Sequence, residues 1–255
     1  HLVYPSTDAH LKLGGEALAK AYNKEIAQLS KENPDRFICS AIVPLEAHDI
    51  GEQLRRIQDD GFKSLSLASS YNGSFPIAQF KTIFSYLNEM NLVVFIHPQI
   101  INPIGFERVK DPLLMPVLEY SFDISMCLGL FMMEGIFSEF KNVKIVFSSL
   151  GGVVPFLRDR FDGVYAMLRT RNMVKELEKT PSQILRNAYV DLSGIKSSEA
   201  IAMAIDFFGE DHLLFASDYP ANQDVESTFR ALSVFDEKIR EKIVQKNFLK
   251  LFSIS

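Results

Sequence analysis

Cysteine is nearly absent, with Cys39 and Cys127 the only two in 255 residues. Two thiols so far apart in apolar surroundings make neither a disulfide framework nor a zinc-finger spacing, and they read as reduced, buried side chains of a cytoplasmic protein. Basic clusters are missing as well. Lys and Arg number 27 against 32 Asp and Glu, the net charge is −5, and no Lys/Arg run interleaved with aromatics offers a surface to nucleic acid or anionic lipid. Nor is there an uninterrupted apolar run of the roughly 20 residues that a membrane span needs. The most apolar region, 113 to 140, is broken by Pro116, Glu119, Asp123, Glu134 and Glu139, so it predicts a buried helix or helix pair. Gly-rich nucleotide fingerprints, short repeats and low-complexity segments are likewise missing.

What remains is an ordinary globular composition, 47% hydrophobic and 23% charged, on a chain long enough for one large core. The chain opens on His1-Leu2-Val3-Tyr4-Pro5, which reads as the tail of a strand with no signal-peptide pattern and raises the expectation of a missing upstream segment. Helix patterns over 16–31, 50–60, 76–90, 113–140, 155–169, 174–186, 197–208, 225–232 and 236–252 alternate with strand patterns over 37–44, 64–70, 93–97, 144–150, 188–194 and 213–219. With the opening strand this makes seven β/α units, and such alternation implies parallel strands joined by right-handed crossovers. The expected fold is therefore α/β: a (β/α)8 TIM barrel occupying 1–255 as a single domain, with its first β/α unit lacking or not showing. An open doubly wound sheet is the alternative.

Several strand patterns end on polar residues, where barrels build their sites. Leu213-Leu214-Phe215-Ala216-Ser217-Asp218 delivers a carboxylate before Tyr219-Pro220. Val93-Val94-Phe95-Ile96-His97-Pro98 delivers an imidazole, and Lys144-Ile145-Val146-Phe147-Ser148-Ser149-Leu150 runs into Gly151-Gly152. Each residue also has a plainer reading: a core histidine, a loop-fixing aspartate, a tight glycine turn. His10, His48 and His212 lie in polar segments and read as solvated. The 126–133 stretch reads as core or subunit interface.

The turn Asn33-Pro34-Asp35-Arg36-Phe37 leads into a strand ending at Val43-Pro44. With Gly61-Phe62, Phe95-Ile96-His97-Pro98, the Gly-Gly-x-x-Pro-Phe-x-x-x-Arg run from Gly151 to Arg160, Ser217-Asp218-Tyr219-Pro220 and Asn247-Phe248, it resembles the amidohydrolase-2 family of metal-dependent barrel hydrolases and decarboxylases. The resemblance implies a divalent metal, zinc first and manganese second, with His97 and Asp218 as ligands. It implies that Asp218 also accepts a proton from metal-bound water, and that Arg160 contributes to a carboxylate-binding region. Apart from the resemblance, Gly151-Gly152 before Pro155 can offer backbone N–H groups to a carboxylate or phosphate, and the Ser149 hydroxyl can donate a hydrogen bond there. Two departures stand out. The family's H-x-H pair occurs nowhere in the chain, and Ser149, or Leu150 if the gap is placed differently, stands where the family has a histidine before the glycines. A serine hydroxyl cannot carry positive charge near neutral pH, so it would support a developing oxyanion more weakly than an imidazolium.

The function expected is a metal-dependent hydrolase or decarboxylase for a small carboxylated molecule, homodimeric, with no nucleic acid or membrane partner. A catalytically impaired barrel paralogue that binds an anionic metabolite or partner without turnover, and without the metal, is the second reading.

Overall fold

Short, strongly apolar segments bounded by Gly, Pro and Asn form the strands, and the helices between them return the chain to the same edge, as parallel pairing requires. The computed structural model describes residues 1–2, 7–45, 47, 49–71, 73–105 and 107–254, excepting the side chains of 7–14. It falls into two compact units: His1–Cys127 with Ser138–Val146, and Leu128–Phe137 with Phe147–Ser255.

In the first unit β1 (Ser40–Ala41), β2 (Ser64–Ala68) and β3 (Val93–His97) pair in sequence order and in parallel. Ser40 sits opposite Ser64, and the β2–β3 register runs from Ser64 opposite Val93 to Ala68 opposite His97. Leu2 adds a parallel bridge to Cys39, while Val3, Tyr4 and Pro5 of the expected opening strand lie outside the described residues, as does His48. All five residues of β2 are buried, the mark of a strand covered on both faces. The helix Ile77–Met90 shows why one crossover packs: Phe80, Ile83, Phe84 and Leu87 recur at helical spacing and are buried, and left-handed Asn91 ends it. β4 (Lys144–Phe147) begins in this unit.

In the second unit β5 (Tyr189–Asp191) and β6 (Leu213–Leu214) pair in parallel, Val190 opposite Leu213 and Asp191 opposite Leu214. The crossover helix Ser198–Phe208 starts at Ser197, whose hydroxyl accepts from Ala200 N at 3.2 Å, and stops at Gly209 with φ +89°. Phe131 against Phe147 and Phe207 against Phe208, with ring centroids 5.8 and 4.6 Å apart, fill its interior.

Several elements are shorter than the sequence predicts. The 213–219 strand keeps only Leu213–Leu214, because Phe215 N turns to the carbonyl of Ile243. The helix expected over 174–186 shrinks to Pro181–Leu185. Proline disfavours helix in the residue before it, and Thr180 instead forms a capping box, its N–H donating to Gln183 Oε1 at 3.2 Å. The helical run Thr7–Glu32 is broken at Gly15, with φ +51° and ψ −136°, so the helix expected from Glu16 is its second part.

Residues Met115–Met133 form one helical run, opening with a π turn over Met115–Glu119. By length and composition alone it is long and apolar enough to cross a membrane. It buries Ile124, Cys127, Leu128 and Phe131, and also Glu119 and Asp123. The expected buried helix is therefore buried on one side only, since Leu114, Leu118, Phe122 and Met126 are 37, 42, 44 and 45% exposed.

Candidate active site

Asp191 is a buried, hydrogen-bonded carboxyl of the second unit. It ends β5 at 9% exposure, and its Oδ1 accepts from Ser149 N at 3.0 Å and Ser193 N at 2.9 Å. Burial pushes its pKa up and the charge of Asp218 pushes the same way, against the pull of those hydrogen bonds. Asp218 lies four residues beyond the end of β6, exposed, with left-handed φ of +59°. Its carbonyl accepts from Asn222 N at 2.8 Å, and Asn222 Nδ2 donates to the carbonyl of Ser217 at 3.0 Å. A side chain at Gly194 would reach Asp218 Oδ2 at 4.0 Å, so the Ser193-Gly194 turn and Asp218 are neighbours.

Ser149 follows β4 in an uncommon conformation. Ser149, Leu150, Gly151 and Gly152 have φ of +50, +57, +71 and +68°, a left-handed turn costly for the two that carry side chains. Its hydroxyl donates to the carbonyl of Ser193 at 3.1 Å, so donating to a substrate oxyanion would require breaking that bond. The glycines do not present free N–H groups, because Gly151 N donates to Ser148 and Gly152 N to Ser149, both at 3.0 Å. A Cβ on Gly151 would come within 3.2 Å of Leu128 and 3.4 Å of Val190 and Phe208. The expected anion cradle at Gly151 is instead a tight, buried strand-to-helix turn.

Arg160 sits exposed on the helix Arg158–Thr170, with no ion pair among the described residues. Two residues before it, Arg158 holds Asp206 and stacks 5.4 Å from the Phe207 ring. His212 is not simply solvated: its ring stacks on Tyr189 at 4.4 Å and Nδ1 donates to the Ala188 carbonyl at 3.0 Å.

In the first unit His97 ends β3, half-buried, with Nδ1 2.9 Å from the carbonyl oxygen of Pro98. A carbonyl only accepts, so Nδ1 carries a proton in this bond, and in the neutral ring that leaves the lone pair on Nε2, the tautomer a metal-ligating histidine uses. Beside it, buried Ser69, Ser70 and Gln99 gather around Asp123. His97 and Asp218 have the donor chemistry of metal ligands. However, among the described residues no group of three or more His, Cys, Asp and Glu is placed to hold a metal ion. Catalytic metal centres ordinarily use three protein ligands, so the donors described do not complete one.

Asp191 escaped the sequence reading although its signal was visible. Tyr189-Val190-Asp191 repeats the pattern of an apolar strand ending in a carboxylate that drew attention to Asp218. What the pattern cannot show is the burial that separates the two.

Parallel strands alternating with helices, with polar groups at the strands' C-terminal ends, are the arrangement of a barrel enzyme. The chain belongs to the amidohydrolase family, whose pattern matches residues 15–254. Among curated relatives it is 25% identical over 248 residues to the 2-amino-3-carboxymuconate-6-semialdehyde decarboxylase of Dictyostelium discoideum, covering 93% of this chain and 67% of the relative. It is 24% identical over 251 residues to the gamma-resorcylate decarboxylase of a Rhizobium species, covering 93 and 76%. The fold matches 5-carboxyvanillate decarboxylase from Sphingomonas paucimobilis with a TM-score of 0.84 at 22% identity, over 93% of this chain and 73% of that one. It also matches the Novosphingobium aromaticivorans enzyme, complexed with manganese and 4-hydroxy-3-methoxy-5-nitrobenzoic acid, at 0.84 and 25% identity over 97 and 73%. The fold is thus the α/β TIM barrel of these enzymes.

Proposed function

We propose that this chain, as one barrel domain over 1–255, decarboxylates a small aromatic carboxylic acid and depends on a divalent metal, zinc or manganese. The observation that carries the reading is a pair of carboxyls, Asp191 at the end of β5 and Asp218 four residues beyond β6 beside the Ser193-Gly194 turn, in a chain aligned over 93% of its length with relatives named as decarboxylases. Hydrolysis, the other expected reaction, has no named relative among these.

Following the family resemblance, His97 and Asp218 would each offer a ligand to the metal. When bound, the metal supplies positive charge to the substrate's oxygens. In the reaction the bond between ring carbon and carboxyl breaks, carbon dioxide leaves, and a proton must reach the ring carbon that keeps the electron pair. As the acid, Asp218 would deliver to that carbon a proton taken up from solvent, while buried Asp191 accepts from Ser193 N and so holds the Ser193-Gly194 turn next to Asp218. Arg160, at the start of its helix, attracts the substrate's carboxylate. Ser149 and Gly151 shape the wall through their left-handed turn.

The exposed stripe Leu114, Leu118, Phe122 and Met126, four residues apart in turn, supports a homodimer. Two free, buried cysteines support a cytoplasmic setting, and the net charge of −5 argues against nucleic acid or an anionic membrane as partner. A barrel without turnover is not favoured, because relatives along almost the whole chain are named as enzymes.

The test is release of carbon dioxide from a panel of hydroxylated benzoic acids by metal-reconstituted protein. Asp218→Asn should lower kcat by about 10²–10⁴, the usual worth of a positioned acid–base group. Elemental analysis should find near-stoichiometric zinc or manganese that is lost in a His97→Ala, Asp218→Ala double variant. Decarboxylation unaffected by Asp218→Asn would refute the role given to that residue.

A further inference from the structure

Asp123 comes from the helix Tyr120–Met133, is 1% exposed, and has no part in the reaction above. It gathers donors from two strand ends. Ser69 Oγ donates to its Oδ2, and Ser70 Oγ lies 3.0 Å from both of its oxygens. Gln99 N donates to Oδ2 at 3.4 Å and Ile104 N to Oδ1 at 3.1 Å. Such a buried carboxylate is held by its donors, and they by it.

These bonds enclose His97. Ser69 N donates to the His97 carbonyl at 2.8 Å, extending the β2–β3 ladder, while Ser69 Oγ accepts from Gln99 N at 3.1 Å. The segment 97–99 is therefore pinned on both sides of Pro98. The carbonyl of Pro98 and the N–H of Gln99 belong to one planar peptide unit, and in a trans unit they point in opposite directions. Holding the N–H toward Ser69 and Asp123 turns the carbonyl the other way, and that carbonyl is the acceptor 2.9 Å from His97 Nδ1.

We infer that Asp123 is a positioning residue: through Ser69 and the Pro98–Gln99 peptide plane it fixes the His97 ring with its proton on Nδ1 and its lone pair on Nε2. The inference rests on the reading of His97 as a site residue, but its test does not use turnover. The full chain, stripped of metal and labelled with 15N-histidine, would be observed above the imidazole pKa, with His97 assigned by its loss in His97→Gln.

The wild type should show the Nδ1–H pattern. Asp123→Asn, which offers one acceptor where the carboxylate offers two, should convert it to a mixture of tautomers. Ser69→Ala, a milder change that removes the relay, should do the same. Phe84→Leu, a core change in the same unit, should lower stability without altering the ring pattern. An unchanged His97 pattern in both Asp123→Asn and Ser69→Ala overturns the inference, as does an equal change in Phe84→Leu. A wild-type protein without decarboxylase activity would sink the functional reading, and the ring pattern would still decide the role of Asp123.

Discussion

Asp191 shows how a single carboxyl can be stable in place yet costly in charge. Two backbone N–H groups favour its ionised form, but burial and Asp218 outweigh them, and its pKa rises. The sign of the consequence follows from proton linkage. With the folded pKa above the unfolded value near ~3.9, the folded state holds more protons between the two values, so stability falls as pH rises through that window. Asp191→Asn removes this contribution while keeping a carbonyl acceptor. Urea titrations at a series of pH values should show a flatter fall from about pH 4 upward in the variant than in the wild type. Equal slopes would mean that Asp191 ionises normally. Some slope should persist in both, since burial also raises the pKa of Asp123.

At the scale of elements, what the chain does between strands decides where the polar groups end up. The helices Arg158–Thr170 and Pro181–Leu185 are joined by Asp162, which accepts from Ser182 N at 2.9 Å and Ser182 Oγ at 2.6 Å. The short helix has only five residues and little intrinsic stability, so this docking and its capping box hold it ahead of β5. Asp162→Ala should cost about 1–3 kcal/mol by removing a charged acceptor from two partly buried donors, read as a lower urea midpoint with an unchanged slope. A loss within ~0.5 kcal/mol, the range of ordinary surface substitutions, would show that the helix is held by packing alone. The run Met115–Met133 buries its carboxyls Glu119 and Asp123 together with Ile124, Cys127, Leu128 and Phe131, while Leu118, Phe122 and Met126 face out.

For the whole molecule, that outward stripe is where a second copy would cover exposed apolar surface. Phe122→Glu places a charge in the middle of the stripe and should convert a dimer to a monomer by light scattering, leaving the far-ultraviolet circular dichroism unchanged. A wild type that is monomeric at micromolar concentration would remove the dimer from the proposal. The fold itself was largely legible because its signals are local and repeated. The helices 50–59, 77–90, 198–208 and 225–232 stand within a residue or so of their expected bounds, since periodicity, glycine stops and caps are properties of neighbouring residues. The 174–186 helix is cut short because Thr180-Pro181 imposes a new start, with Thr180 as the cap.

The sequence by itself determined the alternation of parallel strands and helices, the family, and the placing of His97 and Asp218 at or just beyond strand ends. Those features depend on spacing along the chain. Only the tertiary structure decided that Asp191 is buried and hydrogen-bonded to Ser149 N, that the Ser149 hydroxyl and the Gly151 N–H are already committed, and that Asp123 braces the end of β3. Each of these depends on desolvation or on hydrogen bonds between residues 24 to 54 positions apart or across a left-handed turn, and one-dimensional spacing carries neither.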